Sequence, residues 1–186
     1  MRPPRSARYD PDKPRRVIPP LDAAALERMA LRYVERFATT RGRLADYLRR
    51  KIRERGWDGE PADPDMLAGK MAELGYVDDR AYAEAKATGM ARRGLGARRV
   101  ADALRHARVE AEDADALAPD IAERAPDAAL AFARRKRFGP WASAPADRDL
   151  LNKQLAAMAR AGHGYELSRR ILQLPPGVEV DPDDLV

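Results

Sequence analysis

The sequence contains no cysteine. That excludes disulfides, thiol nucleophiles and thiolate metal sites, and it is compatible with a cytoplasmic location. Histidine is almost as scarce. His106 and His163 are the only two, far apart and without a candidate nucleophile beside either, so neither a catalytic constellation nor a metal site emerges. Aromatic residues make up only 6% of the chain, and alanine supplies much of the 45% that is hydrophobic. Small helical modules suit such a composition better than one thick core. No run approaches the roughly eighteen apolar residues of a membrane span. No apolar stretch follows the basic N-terminus, so no secretory signal is expected.

Charge is abundant and unevenly placed. The formal net charge is +5 over 186 residues. Residues 1–20 hold six Lys/Arg and two Asp together with six prolines, and read as a disordered Pro/Arg-rich arm. Residues 175–186 hold four acids and no base, and read as an acidic tail. The middle is therefore basic, which points to an anionic partner.

Helical periodicity fills residues 21–174, with almost no strand signal. Asp22 is a plausible N-cap for a helix whose apolar face is Leu26, Met29, Ala30, Tyr33, Val34 and Phe37. Leu44, Tyr47, Leu48 and Ile52 line the next helix, which Gly56 stops. Asp63 and Pro64 open a third, ending at Gly75. The order then recurs. One helix ends near Gly94, and a second includes Val100 and Leu104. A third is interrupted at Pro119, and a further helix begins near Pro126 and is followed by Gly139-Pro140. The last two helices precede residue 175. Second helices align on Leu44/Leu48, Val100/Leu104 and Leu167/Ile171, with Gly42, Gly96 and Gly164 shortly before each pair.

The expected architecture is all-α: an elongated tandem array of three helix-turn-helix-like three-helix units, the last truncated. The units are drawn as 21–76, 77–139 with an extra helix, and 140–174.

Basic residues concentrate on the second helices. Residues 41–55 have seven bases and two acids, whereas 57–79 have seven acids and one base; 92–108 have six bases and one acid, whereas 110–127 have seven acids and one base. Arg49 and Arg53 point away from the apolar face of their helix, as do Arg98 and Arg105 of theirs, and Arg49 and Arg105 share one offset. The run "ARRGLGARRV" sets Arg92 and Arg93 at one helix end and Arg98 and Arg99 at the start of the next. Arginines that open a helix oppose its dipole, which argues for an external anion at this corner. Arg134, Arg135 and Arg137, in "RRKR", and Arg169 and Arg170 are further candidates. Surface ion pairs with the neighbouring acidic segments would account for some of this charge without any partner. "GLG" lacks the glycine and lysine of a phosphate-binding loop. The Asp78-Asp79 pair reads as an N-cap and its dipole-favourable neighbour rather than a metal site.

"LGYVDDRAYAEA" at 74–85, followed by "RRGLGARRVADALRHARV" at 92–109, resembles the signature of the RecX family of RecA regulators. Leu74, Gly75, Tyr76, Asp78, Asp79, Tyr82 and Ala83 fit it in order. "ALRYVERFATTRGRLADYL", "ARRKRFGPW" and "LAAMARAGHGYELSRRIL" are similar to its flanking parts, so the resemblance spans roughly residues 24–174. Where that family has an Arg-Gly-Phe-Ser-like turn, this chain has Arg160-Ala161-Gly162-His163-Gly164. The resemblance implies a monomeric, non-enzymatic regulator without a cofactor. It would bind the RecA filament on single-stranded DNA, bind naked DNA weakly, and restrain recombinase, ATPase and coprotease activities, in the setting of recombination, repair and the SOS response. The alternative is a direct DNA-binding architectural protein whose second helices read DNA.

Overall fold

A computed structural model describes residues 19–185. The Pro/Arg-rich arm falls outside them except for Pro19 and Pro20. The described residues are mainly helical and contain no strand; one isolated bridge joins Leu21 to Trp57.

The helices are α1 (Ala23–Val34), α2 (Arg41–Arg55), α3 (Pro64–Glu73), α4 (Asp79–Arg92), α5 (Ala97–His106), α6 (Ala111–Ala116), α7 (Ala118–Glu123), α8 (Ala125–Lys136), α9 (Arg148–Ala161) and α10 (Tyr165–Gln173). Short 3₁₀ turns cover Gly139–Trp141 and Pro182–Leu185. Local chemistry explains most boundaries. The carboxylates of Asp22, Asp63, Asp78 and Asp147 accept first-turn amides of α1, α3, α4 and α9, satisfying donors that a helix start leaves unpaired. Pro119 lies at the start of α7, where the α6–α7 path breaks, and Pro126 in the first turn of α8.

Among the described residues three hydrophobic cores follow one another. The first gathers Leu26 and Ala30 of α1, Leu44 and Leu48 of α2, and Met71 of α3, closed by Leu21 and Val77. The middle core is small: Ala83, Ala87 and Met90 of α4, Val100 and Leu104 of α5, and Leu117. The third combines Ala129, Phe132 and Ala133 of α8 with Met158 of α9 and Ile171 of α10.

Three features differ from the sequence expectation. Helix α8, expected as an extra helix of the second unit, puts these residues into the third core, so α8, α9 and α10 pack together. Counted from the N-caps Thr40, Gly96 and Gly164, the equivalents of Leu44 and Val100 is Ser168, which is buried, and not the half-buried Leu167. Phe37 is 50% exposed, because α1 ends at Val34 and the chain turns before the apolar period completes.

The acidic end is docked. Leu185 is buried in the third core and Val180 packs against it. Arg170 donates to the carbonyls of Leu185 and Asp184, at 3.0 and 2.8 Å.

Candidate functional site

Two joints connect the cores, and both are made at helix ends. At the first, the hydroxyl of Thr40, the N-cap of α2, donates to the carbonyl of Ala107 just past α5. Asp79, the first residue of α4, accepts the Arg41 amide at 2.8 Å. The Arg41 Nε lies 3.6 Å from the other Asp79 oxygen, and its Nη2 lies 3.1 Å from Glu110. Burial raises the Asp79 carboxyl above its ordinary value, while its bond and charge contacts with Arg41 pull the other way. Arg43 donates to the Tyr82 hydroxyl at 3.0 Å, and Arg108 pairs with Asp46 at 3.1 Å.

The family-signature residues therefore divide by role. Gly75 turns the chain at φ +78° after α3, Asp78 caps α4, Ala83 is fully buried, and Asp79 and Tyr82 tie α4 to α2. Leu74 and Tyr76 are exposed. Arg41 is not among the candidates that the sequence singles out, yet it bridges α2 to Asp79 and Glu110. An arginine beginning a helix beside an Asp-Asp pair later in the chain was the available signal.

The second joint is the Gly94-Leu95-Gly96 corner. Gly94 has φ +70° and makes the turn out of α4. Gly96 has φ −80° and ψ 171°, a conformation open to any residue. Its reason is space. The Gly96 amide donates to the Ala161 carbonyl at 2.9 Å, and the Arg98 amide donates to the Gly162 carbonyl at 3.2 Å. A Cβ on Gly96 would stand 2.6 Å from the His163 nitrogen and closer still to the Gly162 carbonyl. One on Gly94 would stand 2.8 Å from the Phe132 nitrogen. The glycines serve close backbone contact here, and not a loose hinge.

His163 completes this joint. It is buried, its Nε2 lies 3.2 Å from the Gly94 carbonyl, and its ring lies 5.5 Å from that of Phe132. Burial lowers its pKa, against a smaller opposing effect of the Gly94 contact. The ring is therefore held toward its neutral form, with Nε2–H as the donor. The contact joins residues distant in sequence, so no local signal announces it.

The corner brings Arg92, Arg93, Arg98 and Arg99 together as exposed residues around one joint. Arg135 joins them, its guanidinium donating to the Arg93 carbonyl and lying 5.4 Å from the Phe132 ring centroid. Arg93 also bonds the Gly89 carbonyl at 3.0 Å. The arginines that open α5 need no external anion to offset the helix dipole. The carbonyl end of α9 meets the amide end of α5, and its partial negative charge offsets the arginines there. What remains is a cluster of exposed guanidinium groups with no carboxylate paired to them among the described residues.

The other candidates lie elsewhere. Arg49 pairs with Asp46 and Asp65 on the first core, and Arg53 is exposed on the same helix. Arg105 pairs with Asp102 toward the other end of α5. Arg134 is exposed in the last turn of α8, and Arg137 caps that helix with φ 57°. Arg169 pairs with Glu166, and Arg170 holds the acidic end.

No family model matches the chain. A curated relative does: the chain is 33% identical over 175 residues to Regulatory protein RecX of Myxococcus xanthus, across 89% of this chain and 91% of that protein. The chain belongs to the RecX family. A second Regulatory protein RecX, from Agrobacterium fabrum, is 30% identical over 149 residues, across 78% of this chain and 80% of the relative. Within this RecX-family chain no helix is long and apolar enough to cross a membrane, and no group of three or more His, Cys, Asp or Glu is placed to hold a metal ion, among the described residues.

Proposed function

We propose that this chain regulates RecA: it binds RecA filaments on single-stranded DNA and restrains their recombinase, ATPase and coprotease activities without catalysing a reaction itself. Membership of the RecX family, over most of the chain's length, carries this reading. The arginine corner supports it by offering a contact surface. Arg92, Arg93, Arg98, Arg99 and Arg135 present a concentrated positive charge to DNA phosphate or acidic protein. The three successive cores support a tandem modular body, acting as a cytoplasmic monomer, that could lie along a filament. The remaining candidate arginines would make outlying contacts.

The test is ATP hydrolysis by the cognate RecA on single-stranded DNA with the chain titrated in. Inhibition is expected at concentrations that give weak binding to naked DNA. Changing Arg92, Arg93, Arg98 and Arg99 together to Gln should weaken filament binding by roughly tenfold or more while the body stays folded, since all four side chains are exposed. No change in hydrolysis or filament lifetime with the wild-type chain would remove the RecA reading. Tight binding to naked DNA with a steep salt slope would favour the architectural alternative.

A further inference from the structure

The α1 side of the first core carries positive charge away from the arginine corner. Arg28, Arg32 and Arg36 follow at four-residue spacing. The first two share one face of α1, and Arg36 continues the line in the turn after it. Four residues of helix advance about 6 Å, comparable with the step between phosphates of an extended nucleic-acid strand. All three side chains are exposed, and none pairs with a carboxylate among the described residues. Several arginines on other helices are neutralised locally, Arg49 by Asp46, Arg105 by Asp102 and Arg169 by Glu166, whereas this row, like the corner, is not. Like charges four apart on a helix repel. This row therefore disfavours α1 until an anion lies along it.

The row borders an open groove of about 680 Å³, also lined by Tyr33, Phe37, Tyr47 and Arg55. Tyr33 and Tyr47 stack with centroids 4.2 Å apart, and Phe37 lies 5.2 Å from Tyr33. Phe37 is half exposed, with the Arg36 guanidinium 5.6 Å from its centroid. Among the described residues two acids line the groove, Asp22 and Asp58, and Asp22 is engaged as the N-cap of α1.

The geometry points to a single-stranded nucleic acid in this groove, its phosphates along Arg28, Arg32 and Arg36 and a base on Phe37. A cationic track beside an exposed aromatic ring is the pairing that single-strand binding uses. An acidic peptide would use the arginines and leave the ring idle. The chain's own ends fit poorly. Residues 1–18 carry six bases and two acids, the same sign as the groove, and the acidic end is held on the third core. The inference goes beyond the filament reading, because it concerns the first core and requires no RecA.

The test uses the full chain and a fluorescein-labelled oligo-dT, with anisotropy read at low salt and then across a salt titration. Replacing Arg28, Arg32 and Arg36 together with Gln should weaken binding by tenfold or more and reduce the log–log salt slope by about 2, since each single-strand phosphate contributes roughly 0.7. The corresponding Lys variant should keep the slope. Phe37→Ala should weaken binding about tenfold without changing the slope, because stacking releases no counterion. The Lys variant should melt as the wild type does and the Gln variant no lower, while Phe37→Ala, which loses a contact with Tyr33, should keep the wild-type helicity at the assay temperature. Wild-type affinity and slope in the Gln variant would overturn the proposal. So would a labelled poly-glutamate peptide that binds in place of oligo-dT and ignores Phe37→Ala, which would indicate an acidic protein partner. RecA hydrolysis is a separate assay, so failure of the groove and failure of the filament reading are distinguishable.

Discussion

Gly96→Ala tests whether the second joint is made by backbone contact. The added methyl would meet the Gly162 carbonyl and the His163 nitrogen, atoms that no rotamer change can clear. Its own φ of −80° imposes no strain, so the whole effect comes from the contact. Forcing a methyl into packed structure costs about 1–3 kcal/mol. If the joint opens instead, it loses the Gly96–Ala161 and Arg98–Gly162 bonds and the His163–Gly94 contact, each with a net worth of about 1 kcal/mol. The cheaper route sets the loss, at about 1–3 kcal/mol. Gly89→Ala is the counterpart. Gly89 lies inside α4 with nothing within 4 Å of its added methyl, so the change should stabilise by about 0.5–1 kcal/mol. Urea unfolding, followed by circular dichroism and fluorescence, would read both. In a Trp57→Phe background the remaining tryptophan, Trp141, reports from the third core. A Gly96→Ala loss under about 0.5 kcal/mol would show that the corner has room for a side chain and is not closed by backbone contact.

Leu48 and Leu104 are both essentially inaccessible to solvent, and each change to Ala should cost about 2–5 kcal/mol in denaturant melts. His163 has a folded-state pKa below its ordinary 6.5, so its contribution should be fully present above pH 6.5 and decline as pH falls from there toward the folded value. Urea midpoints between pH 8 and 5 should show this decline, and His163→Gln, which can still donate to the Gly94 carbonyl, should flatten it. Deleting residues 178–186 strips Leu185 and Val180 from the third core and should cost about 2–4 kcal/mol; an unchanged melting temperature would mean the acidic end is not docked in solution.

The helical class was legible because its signals are local. Asp22 and Asp63 act as the N-caps their positions imply, and Gly56 ends α2. The expected faces also hold at Leu44, Leu48, Val100 and Leu104. Periodicity misled where it ran past a helix end, at Phe37, and where one residue separates two candidate registers, at Leu167 and Ser168. The core that α8 joins could not be read from its own residues, since alanines, one leucine and one phenylalanine suit either neighbour. The arginine corner was visible as composition. Its close backbone packing was not, because Gly96 looks the same whether it supplies freedom or room, and its partner Gly162 lies far along the chain. The dipole argument failed for the same reason: the negative helix end that faces Arg98 and Arg99 belongs to α9.

Helix α5 takes part in both joints. Its amide end abuts α9, and the carbonyl just past its other end reaches Thr40 at the start of α2. Ten residues of helix measure about 15 Å, so α5 is a gauge block between the two contacts. Adding one residue within it would lengthen the gauge by about 1.5 Å and rotate one contact by about 100° relative to the other. The glycine and threonine that seat the ends would then face different directions. The exposed side chains along α5 can vary while the spacing persists, whereas its length and phase are fixed by the two helices that it separates.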